Sequence, residues 1–143
     1  MAKVYWDTNL FIYLFEGKEE ASERVKRLRK GIVARGDQIY TSALTVGEIL
    51  VRPIELGARE IERAYVEFFS ASRLQVIPFD LDAAPHYARI RQDRSIQPAD
   101  ALHLACAAAA RIDLFITNDE RLSKKIVPGI QFITSLARSP ILG

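Results

Sequence analysis

Short apolar runs without alternation, separated by longer stretches of helical period, constrain this chain most. Leu114-Phe115-Ile116 and Val76-Ile77 are apolar at successive positions. A strand with one wetted face alternates, whereas a strand covered on both faces reads as a continuous apolar run. Strands of the second kind belong to parallel sheets flanked by helices. Between these runs the period lengthens to that of a helix, as with Val25, Leu28 and Ile32 inside Lys18–Arg35, or Ile61, Tyr65 and Phe68 inside Arg59–Ser72. The pattern predicts strands at Lys3–Trp6, Gln38–Thr41, Leu74–Phe79, Leu114–Thr117 and Ile130–Ile133. It predicts helices at Leu10–Phe15, Lys18–Arg35, Ala43–Val51, Arg59–Ser72, Asp82–Arg94 and Pro98–Ile112, and a short one at Asp119–Ile126. Such alternation specifies an α/β fold with a mostly parallel sheet.

A length of 143 residues suits one domain, taken as residues 1–143. Hydrophobic residues make up 49% and charged residues 27%, which excludes a disordered or collagen-like chain. The single cysteine, Cys106, excludes an intrachain disulfide and a multi-cysteine zinc site. No targeting stretch follows Met1. The least polar segment, Ala99–Ala110, contains Asp100 and His103 and is too short to span a bilayer. A cytoplasmic protein with no membrane partner is expected.

In open parallel sheets, ligand sites form beyond the carboxyl ends of the strands at a topological switch point. Four acids stand where that rule directs attention. Asp7 follows the first strand, and Asp119 lies two residues past the Leu114–Thr117 strand. Glu48 is the only charge between Thr41 and Val51. Asp100 falls in the first turn of the helix that Pro98 opens. Each has a local explanation, as a turn residue, a solvated helix residue or a first-turn carboxylate favoured by the helix dipole. Four independent coincidences at one sheet edge are a weaker account than one shared site. Converging carboxylates repel and raise each other's pKa values unless a cation joins them. Hard divalent ions such as Mg²⁺ or Mn²⁺ prefer oxygen donors and serve phosphoryl chemistry. Against a net charge of +2 overall, setting the four acids aside leaves +6 on the rest of the chain, a distribution suited to a nucleic acid.

Asp7-Thr8-Asn9, Glu48 within Ser-x-x-Thr-x-x-Glu-Ile-Leu, Pro98-Ala99-Asp100-Ala101-Leu102-His103-Leu104-Ala105 and Thr117-Asn118-Asp119 occur in the order of a PIN domain. Over essentially its whole length the chain resembles the small VapC-type toxins of toxin–antitoxin pairs. The resemblance implies a single α/β PIN-like domain with a parallel five-stranded sheet flanked by helices. It also implies a Mg²⁺- or Mn²⁺-dependent endoribonuclease using one or two ions, acting on an RNA substrate. A cognate antitoxin and a homodimeric state are the implied partners. The catalytic and metal-binding acids carried over are Asp7, Glu48, Asp100 and Asp119. Thr8, Asn9, Thr117 and Asn118 take supporting or substrate-orienting places. Many relatives have a further acid two positions after the last one, where this chain has Arg121, which leaves the second ion open.

Arg89, Arg91 and Arg94 precede Asp100, and Arg121, Lys124 and Lys125 follow Asp119, so both groups are candidates for contacts to RNA phosphates. His103 lies three residues after Asp100 and shares its helix face, where it either orients a carboxylate or is a structural neighbour. His86 has no supporting context. The run Leu10–Phe15 is apolar all round and must be covered on several sides, by the core or by a partner, and the resemblance favours a partner, an antitoxin segment or a second subunit. A phosphatase of the haloacid-dehalogenase type would require an aspartate where Asn9 stands. A receiver domain would place its phosphoacceptor near Asp80, which has no matching context. A PIN fold that only binds partners is the remaining alternative. No glycine-rich turn follows the first strand, which excludes a dinucleotide-binding domain.

Overall fold

The computed structural model describes residues 1–71 and 73–139. Five strands form one parallel sheet: β1 (Lys3–Trp6), β2 (Gln38–Ser42), β3 (Leu74–Ile77), β4 (Leu114–Thr117) and β5 (Phe132–Ser135). Their spatial order is β3-β2-β1-β4-β5. The helices are α1 (Thr8–Glu16), α2 (Glu19–Ala34), α3 (Ala43–Glu55), α4 (Arg59–Phe69), α5 (Ala83–Ile90) and α6 (Pro98–Ala109). From β1 the chain leads to β2 on one side, while β4 pairs with β1 on the other. The switch point thus lies between β1 and β4, and Asp7 sits at its carboxyl edge.

Alternation along β1 sends its side chains into two separate cores. Tyr5 joins Phe115, Leu104 and Ile112 under α5 and α6, while Val4 and Trp6 join Leu10, Phe11, Leu28 and Ile116 under α1, α2 and α4. Both faces of the central strands are therefore dry, as the unbroken apolar runs predict.

Several predicted boundaries move, each for a local reason. β3 stops at Ile77 because Pro78 has no N–H for the ladder. β5 begins at Phe132 rather than Ile130, because Ile130 N–H closes a turn onto Val127 C=O and Gly129 takes φ +99°. The helix expected over Asp119–Ile126 is a single 3₁₀ turn at Leu122–Lys124. α3 runs past Val51 and carries Pro53 in its last turn. α6 stops at Ala109. There Arg111 takes φ +56° and the N–H groups of Arg111 and Ile112 bond back to the carbonyls of Ala108 and Ala107, a Schellman cap that turns the chain into β4. α4 is described to Phe69, and the predicted end of that helix at Ser72 lies outside the described residues.

The apolar run in α1 is covered mainly from within the chain. Leu10 and Phe11 are buried, and Ile12, Tyr13 and Leu14 are half-buried against the same core. Phe15 packs edge-on against Tyr65 and Phe68 of α4 and stays 44% exposed. An amphipathic α2 and the aromatic face of α4 thus do the covering that a partner was expected to share.

Candidate active site

Asp7 is the N-cap of α1. Its Oδ1 accepts the Thr8 N–H at 2.8 Å, and its Oδ2 accepts the Thr117 hydroxyl at 2.8 Å. A carboxylate there faces the positive end of the helix dipole, which offsets part of the cost of burying it. Thr117 also accepts the Asp119 N–H at 3.1 Å, so one β4 hydroxyl links two of the acids. Asp119 Oδ1 in turn accepts the N–H groups of Arg121 at 2.9 Å and Leu122 at 3.3 Å, capping the 3₁₀ turn.

Glu48 lies on α3 and is half-buried. Its Oε1 accepts the Thr8 hydroxyl at 2.6 Å and lies 2.7 Å from His103 Nε2. Burial alone would raise this carboxyl, but the hydrogen bonds from His103 and Thr8 and the charge of His103 outweigh it and hold its pKa below the usual range. Asp100, in the first turn of α6, behaves oppositely. Burial raises its pKa, and the charges of Asp7, Asp119 and Glu48 raise it further, with His103 opposing. Asp100 thus lies within electrostatic reach of the other three acids.

The supporting residues divide. Thr8 and Thr117 touch the acids directly. Asn118 instead donates to Tyr13 Oη at 2.6 Å and anchors the loop to α1. Asn9 is exposed and makes no side-chain hydrogen bond to the described residues. The arginines divide as well. Arg121 joins Lys124 and Lys125 around a cleft of about 350 Å³ whose wall includes Asp100 and Asp119. Arg91 donates to the Ile96 carbonyl at 2.8 Å and ties down the loop before α6. Arg89 and Arg94 are exposed outside that cleft.

Tyr5 is the site residue that sequence reasoning missed, while Ser42 and Thr45 stand in the Ser-x-x-Thr-x-x-Glu motif but were given no role of their own. The signal for Tyr5 is only that a hydroxyl buried beside acids must find a partner. Thr45 lies 3.4 Å from Thr8 Oγ1 and 2.7 Å from Thr41 Oγ1, and Tyr5 Oη lies 2.7 Å from His103 Nδ1.

The donor chemistry fits a hard divalent cation, since all four acids offer oxygen. Each oxygen of Asp7 engages a single hydrogen, so each keeps a lone pair, and Asp100 has no hydrogen-bond partner among the described residues. The side chains themselves stand open: among the described residues no three His, Cys, Asp or Glu groups are placed to hold one ion together.

The sequence profile of the PIN domain family matches residues 4–126. The chain belongs to the PIN domain family. Solved structures agree in fold. VapBC2 from Rickettsia felis, bound to a DNA fragment from its promoter, matches with a TM-score of 0.74 at 17% identity, over 93% of this chain and 98% of that one. A toxin–antitoxin complex from Klebsiella pneumoniae matches with a TM-score of 0.61 at 26% identity, over 89% and 94%. VapBC-5 from Mycobacterium tuberculosis matches with a TM-score of 0.61 at 19% identity, over 94% and 99%. No curated protein matches the chain in sequence. In this PIN domain the acids at the switch point are thus set in the family's architecture, on a protein with no helix among its described residues long and apolar enough to cross a membrane.

Proposed function

We propose that this PIN domain is a divalent-cation-dependent endoribonuclease and the toxin of a VapBC-type pair. The observation that carries the reading is that shared groups link the acids, Thr117 bridging Asp7 and Asp119 and Thr8 bridging Asp7 and Glu48, while the pKa of Asp100 is raised by burial and by the charges of the other three. Asp7, Glu48, Asp100 and Asp119 would hold Mg²⁺ or Mn²⁺. A cation there supplies charge neutralisation at a phosphodiester and a water made more acidic for in-line attack. The chain's own residues do the remainder. Thr8 N–H and Thr117 fix both oxygens of Asp7, so its orientation is set before substrate arrives. Arg121, Lys124 and Lys125 line one wall of the adjacent cleft, where the phosphates flanking the scissile bond would meet cations. RNA is the substrate class this arrangement suits, acids at the reacting phosphate and bases beside it.

The partner reading rests on α3 and α4. Val51, Ile54 and Leu56 are 55–68% exposed, and Ile61 and Val66 are 45–48% exposed. An antitoxin segment or a second copy of the chain would cover these side chains. The activity is tested by incubating the purified, partner-free protein with a mixed RNA pool. Cleavage is expected with Mn²⁺ or Mg²⁺, and none in EDTA or in Asp7→Asn. Cleavage that persists in EDTA would contradict the cation-dependent reading.

A further inference from the structure

We propose that Tyr5 and His103 act together as positioning residues for Glu48, holding its Oε1 and leaving its other oxygen free for a ligand of the acidic site. The proposal deepens the reading above, and rests on it only for the cation arm of the test below.

The His103 side chain is 3% exposed and stands between the acids. Its Nε2 lies 2.7 Å from Glu48 Oε1, 3.2 Å from Thr8 Oγ1 and 3.7 Å from Asp7 Oδ1. Its Nδ1 lies 2.7 Å from Tyr5 Oη, which is 2.9 Å from Ser42 Oγ. Both ring nitrogens are therefore engaged, and the chain of contacts runs from β1 through α6 to α3.

The proton on Nε2 follows from the acceptor. An ionised carboxylate has no hydrogen to give, so a contact of 2.7 Å between Glu48 Oε1 and Nε2 requires the hydrogen on the ring. A hydroxyl at Nδ1 can donate or accept, so Tyr5 satisfies that nitrogen without drawing the Nε2 hydrogen away. The Tyr5 ring is itself fixed, stacked on Phe115 with centroids 4.8 Å apart and an interplanar angle of 7°. Ser42, at the end of β2, completes the buried chain. Glu48 Oε1 thus meets two donors, Nε2 and the Thr8 hydroxyl, while Oε2 has no partner among the described residues. Donors that orient a carboxylate in this way act on whatever its other oxygen binds. A histidine that merely filled space would do none of this, and an apolar side chain of similar size would replace it without effect on Glu48.

The test has two arms. In the cation-free protein at one fixed pH, the ¹⁵N spectrum of labelled histidine reports which ring nitrogen of His103 carries hydrogen. The expected result is a protonated Nε2 whose resonance moves in Glu48→Leu, and a reduced Nε2–H population in Tyr5→Phe. A bare Nε2 in the wild type overturns the proposal. The second arm measures Mn²⁺ binding by calorimetry in variants that retain a cooperative melt. His103→Leu should weaken binding by about 10–100-fold, the usual range for loss of a group that orients a ligand. His103→Gln, which keeps an N–H to offer Glu48, should recover most of that loss. Equal affinity in His103→Leu and wild type overturns the proposal, as does a His103→Gln no better than His103→Leu. If His103→Leu does not fold, Tyr5→Phe takes its place, with weakened binding expected and unchanged binding contradictory. Should the wild type bind no Mn²⁺ at all, the nuclease reading falls, and the nitrogen spectrum alone decides the positioning role.

Discussion

Replacing Phe11 and Phe15 by alanine, one at a time, tests whether α1 is core or partner surface. Both belong to the same apolar run, yet their surroundings differ. Phe11 is 1% exposed, with ring centroids 5.2 Å from Trp6 and 5.1 Å from Phe69. Removing a buried phenyl costs about 3–5 kcal/mol through lost transfer energy and the cavity left behind. The aromatic neighbours place Phe11→Ala toward the upper half, about 4 kcal/mol, since each such pair adds ~0.5–1.5 kcal/mol beyond area. Phe15 is 44% exposed and meets Tyr65 and Phe68 edge-on at 5.3 and 4.7 Å. Its loss should cost about 1 kcal/mol, within the range of such edge pairs. Near this chain length 1 kcal/mol moves the melting point by roughly 2–4 °C, so Phe11→Ala should melt about 8–16 °C lower and Phe15→Ala only a few degrees lower. Urea unfolding with unchanged slope provides the free energies. A Phe11→Ala loss no greater than that of Phe15→Ala would refute the packing of α1 described above.

The other expectations concern the acids and the turn before β5. Asp100 has a folded pKa raised above its ordinary 3.8, so its ionisation opposes folding at neutral pH. Asp100→Asn should therefore stabilise the cation-free protein at pH 7. That gain should shrink as pH falls through the raised value and be gone below about 3.8, read from urea melts across pH. Glu48 has the opposite sign, because its folded pKa lies below the ordinary 4.5: Glu48→Gln should cost stability above that pH and progressively less as pH falls through the folded value. At Gly129, φ is +99° and a Cβ would lie 2.9 Å from the Ala108 carbonyl oxygen. Gly129→Ala should lower stability by about 1–3 kcal/mol in the same assay, the scale of a side chain forced into that region.

The sheet was readable from sequence because covering both faces leaves an unbroken apolar run, as at Leu114-Phe115-Ile116. Boundaries were less readable where one backbone event set them. The positive φ of Arg111 that ends α6 leaves no trace in composition, since arginine is not a residue that favours it. The last strand moved by two residues because Ile130, an apolar residue that reads as strand, serves the core from a turn. The acids were legible by position relative to strand ends, a property of topology. Thr8 and Thr117, whose hydroxyls bond Glu48 and Asp7, stand in the same motifs, whereas the Tyr5 hydroxyl has no such marker. Tyr5 looks like any aromatic in a buried strand, and its pairing with His103 joins residues 98 positions apart. Likewise α1 looked half-bare, because the aromatic face of α4 that covers it comes some fifty residues later.

The central claim is that Asp7, Glu48, Asp100 and Asp119 make one cation site rather than four separate acids. Calorimetric titration of the partner-free protein with Mn²⁺, in the wild type and in the single variants Asp7→Asn, Glu48→Gln, Asp100→Asn and Asp119→Asn, tests it most directly. The account predicts saturable binding in the wild type and weakened binding in every variant, since each removes a negative oxygen donor from the same ion. Wild-type affinity in two or more of the four variants, or no saturable binding at all, would contradict it.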